Sequence, residues 1–227
     1  MAPSIPGQTR RIMANSAPDF GAGPAPRRYP NSKPKNAASL IVADLSGANP
    51  QFLMGQRSDA HVFMPGFFVF PGGRLERADH RHQAIHELDA ARLSAQSVQK
   101  NLASALLGCA IRETLEETGI DLSKHPMPMR YVGRAITPPG QIRRFDTRFF
   151  LTIVQRSSLT QNSIPDNELL TVDWFDAQTI PHERLHRITG LVLQAALARL
   201  EADPALTKDL KTPTHRFRYG KPVVEWE

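Results

Sequence analysis

Runs of hydrophobic and polar residues along the chain predict several short strands. An apolar run predicts a strand at 38–43, and a turn of Ser, Gly, Asn and Pro at 46–50 leads to a partner strand at 51–54. A third strand, at 67–70, is stopped by Pro71-Gly72-Gly73. Later runs with the same character predict strands at 130–136, 148–154 and 169–175.

Helical patterns lie between these strands and after them. The pattern is weak at 84–98 and stronger at 101–117, where Leu102, Leu106 and Ala110 keep one apolar face and Gly119 ends the helix. A last helix spans 182–201. Strands interspersed with two or three helices indicate an α/β (α+β) fold.

Composition divides the chain into a leader, a folded domain and a tail. Residues 1–36 are rich in proline and basic residues, which favours a disordered leader. The domain is predicted over 37–203, and 204–227 is a C-terminal tail. Within the tail, His215–Lys221 interleaves arginines with aromatics, which suits either a loosely packed end or contact with an adenine or a phosphate.

The overall composition excludes several classes of protein. Of 227 residues, 41% are hydrophobic and 22% charged, which is enough for a substantial core, and no apolar run approaches the roughly 20 residues of a spanning helix. The single cysteine, Cys109, favours a reducing compartment such as the cytoplasm. An organelle matrix is the alternative if the leader is a transit peptide.

The net charge of +6 does not by itself indicate a nucleic-acid partner. Six Lys and Arg residues and one acid fall in the first 38 positions, so the leader carries most of the excess. A basic disordered arm indicates phosphate binding more weakly and less specifically than a basic patch on a folded surface does. We therefore expect neither a nucleic-acid nor a membrane partner.

Three carboxylates in the predicted helix at 101–117 are the strongest chemical signal. Glu113, Glu116 and Glu117 stand at i, i+3 and i+4, so they share one helix face near its negative C-terminal end. Like charges at this spacing repel, and hard oxygen ligands in a compact group suit Mg²⁺ or Mn²⁺. A solvated acidic helix end is the alternative.

The segment 110–120 resembles the second half of the nudix hydrolase signature, G-x5-E-x7-R-E-U-x-E-E-x-G-U, in which U is aliphatic. The residues on its fixed positions are Arg112, Glu113, Glu116, Glu117, Gly119 and Ile120. The sequence Phe-Pro-Gly-Gly at 70–73 is similar to its opening. The chain departs from the family between these halves, because Gly73 and Arg112 are 39 positions apart where the family has 14. This corresponds to an insertion of about 25 residues, placed at 74–100, and it leaves Glu76 and Glu87 as candidates for the first signature glutamate.

The resemblance implies a nudix fold, with a mixed β-sheet sandwiched between α-helices, and an activity. Nudix enzymes hydrolyse a diphosphate that links a nucleoside to another group, usually with Mg²⁺ or Mn²⁺. By position, Glu113, Glu116 and Glu117 are then metal ligands and catalytic residues, joined by the main-chain carbonyl of Gly73. Glu168, in a loop before a strand, is a candidate acceptor for the proton of the attacking water.

The interrupted signature is similar to that of a subgroup of coenzyme A diphosphatases. An upstream pattern of the coenzyme A enzymes is matched at Arg57, Ser58 and Gly66, although Val62 stands where that pattern has an arginine. The implied substrate is coenzyme A or an acyl-coenzyme A, with Arg57 and Ser58, and also Arg143 and Arg144, as candidate substrate-binding residues. ADP-ribose or NADH hydrolysis, or nucleotide binding without catalysis, are the alternatives. The oligomeric state, including a homodimer, stays open.

Overall fold

The strands form a mixed sheet with an α-helix packed on each face, as the sequence predicts. The computed structural model describes residues 32–58, 66–81, 100–123, 127–160 and 169–227. Helix α1 is Lys100–Thr118 and helix α2 is Arg187–Ala202. Within the described ranges, the strands are β1 Lys35–Asp44, β2 Gln51–Arg57, β3 Phe68–Val69, β4 Gly72–Arg74, β5 Arg130–Ile136, β6 Phe145–Val154, β7 Leu169–Asp176, β8 Pro213–Arg218 and β9 Lys221–Trp226.

Strand β1 is the centre of the sheet. The strand order is β3-β2-β1-β6-β5-β8-β9, with β4 also paired to β1 and β7 to β2. Strands β1 and β6 run parallel and pair along their whole length, from Lys35 beside Phe145 to Asp44 beside Val154. On its other edge, β1 pairs with β4 near its beginning and with β2 near its end. The beginning of β1 is thereby placed beside the glycines at 72 and 73.

Both faces of β1 are buried, which explains its continuous apolar sequence. Leu40 and Val42 belong to a core that packs under α1, whereas Ile41 and Ala43 belong to a core that packs under α2. Successive side chains of a strand point to opposite faces, so a strand with helices on both sides needs apolar residues at every position. No helix among the described residues is long and apolar enough to cross a membrane.

Several element boundaries differ from the predicted ones. Strands β1 and β6 each begin three residues earlier than predicted, because their ladder of backbone hydrogen bonds continues beyond the apolar core into polar residues. The last helix begins at Arg187, where the His186 side chain caps it by accepting a hydrogen bond from the Ile188 N–H. Residues 182–184 form a separate short 3₁₀ helix. The helix predicted at 84–98 lies outside the described residues.

The C-terminal segment extends the sheet and is not a loosely packed tail. Strands β8 and β9 form a hairpin whose turn residues, Tyr219 and Gly220, both have positive φ angles of 52° and 76°. Strand β8 adds in parallel to β5, through Arg134 beside Thr214. The alternation of arginines with aromatics is itself a period-two pattern compatible with a strand. The prediction failed because this short segment has no buried apolar face of its own, and Phe217 stays 39% exposed.

Phe150 tests the two-sided packing of the sheet. It is fully buried on the α1 side of β6, so Phe150→Ala should lower the free energy of unfolding by about 3–5 kcal/mol. Phe217→Ala is the matched control, because Phe217 is 39% exposed on the hairpin and should change stability by only about 0.5 kcal/mol. Urea unfolding measures both, and equal losses in the two variants would contradict the assigned burial.

Candidate active site

Two glycines bring the sheet close to helix α1. Gly72 and Gly73 lie in β4, opposite Ser39 and Ala38 of β1. A Cβ on Gly72 would lie 2.5 Å from the Ala38 carbonyl oxygen, and a Cβ on Gly73 would lie 2.3 Å from Oε1 of Glu113. Both distances are shorter than real contacts of a Cβ. A side chain on Gly72 would push β4 away from the backbone of β1, and one on Gly73 would displace the Glu113 carboxylate.

The carboxylates of α1 face this pair of glycines. The Gly72 N–H donates to Oε2 of Glu117 at 2.9 Å, and the Glu117 residue is only 2% exposed. The Glu113 side chain is 12% exposed and lies against Gly73, whereas the Glu116 side chain is 47% exposed. The predicted common face therefore exists, with two of its carboxylates turned toward the sheet and the third toward solvent.

Helix α1 ends directly after these residues, as predicted. Gly119 has a φ of 73°, a left-handed conformation that favours glycine, and its N–H donates to the Leu115 carbonyl at 2.9 Å. Because this cap fixes the last turn, it also fixes where Glu116 and Glu117 stand relative to β4.

Arg112 connects the carboxylates to one another. Its Nη1 lies 2.8 Å from Oε2 of Glu116 and 2.9 Å from Oε1 of Glu113. Its other two nitrogens make a bidentate contact with Asp79, Nε to Oδ1 at 2.8 Å and Nη2 to Oδ2 at 3.1 Å. Nη2 also donates to the carbonyl of Arg74 at 3.3 Å, which ties the helix to the end of β4.

Asp79 is a site residue that the sequence analysis missed. It is 4% exposed, lies in a short 3₁₀ helix at Ala78–Arg81, and accepts a hydrogen bond from the Glu76 N–H at 2.7 Å. It stands six positions after Gly73, where the nudix signature has its first glutamate. An aspartate thus takes the position for which Glu76 and Glu87 were considered. The spacing from Gly73 could have identified this position, but it was overlooked because the residue there is an aspartate and not a glutamate.

The pKa values at this contact favour the ion pair. Burial alone would raise the pKa of Asp79, but hydrogen bonds from Arg112 and from the Glu76 N–H outweigh it and hold the pKa below its usual value. The hydrogen bond to Asp79 likewise raises the pKa of Arg112, against the opposing effect of burial. Both groups therefore stay charged at neutral pH.

Cys109 lies in the core beneath the site. It is fully buried, and its Sγ lies 3.6 Å from the Gly73 carbonyl oxygen. Burial raises the pKa of the thiol, so it stays protonated at neutral pH. A protonated, buried thiol is a packing residue here and not a nucleophile.

The donor set at α1 fits a hard cation in chemistry, although the carboxylates are not gathered around one point. Glu113, Glu116 and Glu117 offer oxygen ligands of the kind that Mg²⁺ and Mn²⁺ prefer. The Glu113 carboxylate occupies the position that a side chain on Gly73 would take. Among the described residues, no three His, Cys, Asp or Glu side chains form a group that could hold a metal as they stand. Arg112 holds Glu113 and Glu116 instead.

The candidate substrate-binding residues lie on two other segments. Arg57 ends β2, and Ser58 follows it, both half-buried. Arg143 is exposed in the loop between β5 and β6, and Arg144 donates to the carbonyls of Thr137, at 3.1 Å, and Ser32. Arg144 thus holds backbone of that loop. Glu168 lies outside the described residues, and its role remains a prediction.

Asp79→Asn tests the contact between Asp79 and Arg112. At neutral pH the variant should lose about 1–3 kcal/mol of unfolding free energy, because a charge-assisted contact in a buried position is replaced by a neutral one. Glu76→Gln is the control, because Glu76 is exposed and its N–H bond to Asp79 does not involve its side chain.

The difference in unfolding free energy between wild type and Asp79→Asn should also depend on pH. A carboxylate whose pKa is lowered by folding stabilises the protein above its unfolded pKa, near 3.8, and loses that contribution as the pH falls through its folded pKa. The difference between wild type and Asp79→Asn should therefore shrink below about pH 3.8. Urea unfolding at pH 7, 5 and 3 measures it, and a difference that stays constant would contradict the ion pair.

Comparisons with known proteins agree on the fold. A nudix hydrolase from Alicyclobacillus acidocaldarius is 26% identical, with a TM-score of 0.58, over 78% of this chain and 97% of that one. The nudix domain of Shewanella oneidensis NrtR, solved with ADP-ribose, is 12% identical, with a TM-score of 0.52, over 85% and 98%. A MutT/nudix family protein from Enterococcus faecalis is 16% identical, with a TM-score of 0.51, over 80% and 71%.

No family model and no curated protein matches the sequence. The solved structures that resemble it are nevertheless consistently nudix proteins, and the site residues stand on the positions of the nudix signature. The chain therefore has the nudix fold, and its likeness to these structures supports the nudix family and a nudix-type diphosphatase.

Proposed function

We propose that this chain is a divalent-metal-dependent hydrolase that cleaves the diphosphate linking a nucleoside to another group. The observation that carries the proposal is the approach of Glu113 and Glu117 to Gly72 and Gly73. The Glu113 and Glu117 carboxylates stand against the backbone of the glycine pair, and carboxylate oxygens suit a hard cation that bridges to a phosphate.

Four groups would hold the metal. They are the carboxylates of Glu113, Glu116 and Glu117 and the main-chain carbonyl of Gly73. When bound, Mg²⁺ or Mn²⁺ supplies neutralisation of the phosphoryl charge and a more acidic water. Arg112 contacts both Glu113 and Glu116, and a cation would compete with it for these two carboxylates.

Arg112 and Asp79 act as positioning residues in this proposal. Asp79 accepts hydrogen bonds from Nε and Nη2 of the guanidinium, so Nη1 is directed at Glu113 and Glu116. A guanidinium fixed on one side presents its remaining nitrogen in a defined direction. The acceptor for the proton of the attacking water is one of the α1 glutamates or Glu168.

Coenzyme A or an acyl-coenzyme A is the substrate that we propose first, with 3′,5′-ADP and the (acyl-)phosphopantetheine phosphate as products. The support is the spacing of Arg57, Ser58 and Gly66 before Phe70–Gly73. ADP-ribose is the alternative, and it is the ligand in the Shewanella oneidensis nudix domain. Nucleotide binding without catalysis is the other alternative. Asp79 counts against it, because the signature then has a carboxylate at each of its four acidic positions.

Glu117→Gln tests the proposal. Wild-type protein should release product from coenzyme A, an acyl-coenzyme A, ADP-ribose or NADH with Mg²⁺ or Mn²⁺, measured by chromatography. Because a metal ligand is lost, Glu117→Gln should lower kcat/KM by at least about 100-fold. Glu201→Gln, on the exposed end of α2, is the control and should keep wild-type activity.

Metal binding has its own measurement. Mn²⁺ should raise the unfolding temperature of wild type and of Glu201→Gln, but raise that of Glu117→Gln much less. Wild-type protein that turns over none of the four substrates would refute the proposed activity. A Glu117→Gln variant as active as wild type would refute the assigned role of this carboxylate.

A further inference from the structure

Strand β9 ends the sheet on one side and has an open outer edge. It pairs with β8, and no other strand among the described residues pairs with it. Thr212 and Glu227 exchange both backbone hydrogen bonds, at 2.9 and 3.0 Å, so the odd-numbered residues of β9 direct their backbone groups toward β8. The backbone groups of Pro222, Val224 and Trp226 therefore face away from β8, where another strand can pair with them.

The side chains of the same three residues lie on one face of the hairpin. Val224 is 49% exposed and Trp226 is 65% exposed, and the exposed Phe217 stands directly opposite Pro222. Phe217, Val224 and Trp226 are three of the six large hydrophobic residues that are exposed in the described part of the chain. We call Phe217, Pro222, Val224 and Trp226 the apolar face of the hairpin. Exposed apolar residues that are concentrated in one place mark a surface of association.

The other face of the hairpin is charged. Glu225 forms ion pairs with arginines of β8 on this face. Lys221 begins β9 and Glu227 follows its end, both in the same alternation as Glu225. The Glu227 side chain accepts a hydrogen bond from the Thr214 hydroxyl at 3.0 Å, which holds it on this face. The outer strand thus has a positive charge at its beginning and a negative charge beyond its end.

This arrangement makes the outer edge complementary to itself. When a second copy of β9 is added antiparallel with Val224 opposite Val224, Lys221 of each copy lies opposite Glu227 of the other. On the apolar face, Pro222 of each copy then lies opposite Trp226 of the other. Opposite charges and apolar pairs directly across two strands are both stabilising. A twofold axis at Val224 generates all of these pairs, as a closed symmetric dimer requires.

The backbone favours the same register. In it, the two Val224 residues exchange N–H to carbonyl hydrogen bonds, and each Trp226 N–H donates to the Pro222 carbonyl of the other copy. Every outward N–H of β9 then has an acceptor, since Pro222 has no N–H. An axis at Pro222 would place two residues without an N–H opposite each other. An axis at Glu225 would place like charges opposite each other and leave Lys221 outside the paired segment.

We propose that the outer edge of β9 is a homodimer interface, in which two copies of the chain pair their β9 strands antiparallel about Val224. The sheet of one copy would continue into the sheet of the other, and the two apolar faces would cover each other side by side. The glycine pair of the candidate active site lies on β4, which is separated from the hairpin by β1, β6 and β5. The inference therefore goes beyond the proposed function and does not depend on it.

Val224→Lys tests the interface. Sedimentation equilibrium over a wide range of protein concentrations measures the dissociation constant, and wild type should form a dimer. The variant places two lysines opposite each other at the twofold axis, so it should dimerise about 100-fold more weakly or worse. Leu170→Lys is the matched control, because Leu170 is an exposed apolar residue of β7, and it should dimerise as wild type does. Circular dichroism establishes that both variants are folded.

Lys221→Glu and Glu227→Lys test the charged pairs. Each variant alone places like charges opposite each other at both ends of the paired strands, so each should dimerise about tenfold more weakly than wild type. An equimolar mixture of the two variants restores opposite charges at both ends of the mixed dimer. The mixture should therefore associate with close to wild-type affinity, whereas a loss caused by misfolding would not be rescued by mixing.

Val224→Cys tests the register. The Cα atoms of a hydrogen-bonded antiparallel pair are about 5.5 Å apart, within the roughly 4.4–6.8 Å that a disulfide spans. Mild oxidation should therefore link two copies of this variant, as seen by non-reducing electrophoresis. Val223→Cys is the control, because the two Val223 residues would be diagonal neighbours about 7–8 Å apart and should link much less. The native Cys109 is buried away from the hairpin.

Three results would overturn the proposal. A wild type that stays monomeric would do so, and the outer edge would then be left to a strand of another protein. A Val224→Lys variant that dimerises as tightly as wild type would show that any dimer forms elsewhere. Linking of Val223→Cys as readily as Val224→Cys would contradict the pairing about Val224.

Discussion

The bidentate contact between Arg112 and Asp79 is the interaction on which the site depends. Arg112 stands in the same helix as the three glutamates, and Asp79 stands on the segment that follows the glycine pair. Because Asp79 is buried and ionised, it holds the guanidinium in one orientation, and the guanidinium in turn holds Glu113 and Glu116. The helix and the loop are therefore aligned by charge as well as by packing.

The sheet supplies the second constraint, through β1. Its central position and its two buried faces leave it little freedom, since any shift would disturb the cores under both helices. Strand β4 pairs with the beginning of β1, and β6 pairs with its full length. Strand β4, with its glycine pair, and strand β6 thus take their relative positions from one rigid strand.

Much of this arrangement could be predicted from the sequence. The apolar run of β1, the helix ended by Gly119 and the shared face of Glu113, Glu116 and Glu117 follow from local periodicity and capping, and the structure has all three. Such features depend on neighbours within one or two turns or along one strand. Local patterns describe them well for that reason.

Features that depend on distant partners were not predictable in the same way. An aspartate is by its type expected at the surface. Asp79 is buried because it pairs with Arg112, which lies 33 positions later in the sequence. Arg148 and Arg134 lie in predicted strands, and only the pairing of β5 with β6 brings the two residues side by side. The C-terminal hairpin was missed because its strand character comes from pairing with β5 and not from its own apolar pattern.

The position of Asp79 also explains how the signature tolerates its interruption. The additional residues fall between Asp79 and Arg112, and the 3₁₀ helix that contains Asp79 packs directly on α1. The added residues therefore separate Asp79 and Arg112 along the sequence but not in space. Closing a longer connection between two fixed points costs free energy only with the logarithm of its length. A search that demands fixed spacing between Asp79 and Arg112 would overlook chains whose functional residues still meet in space.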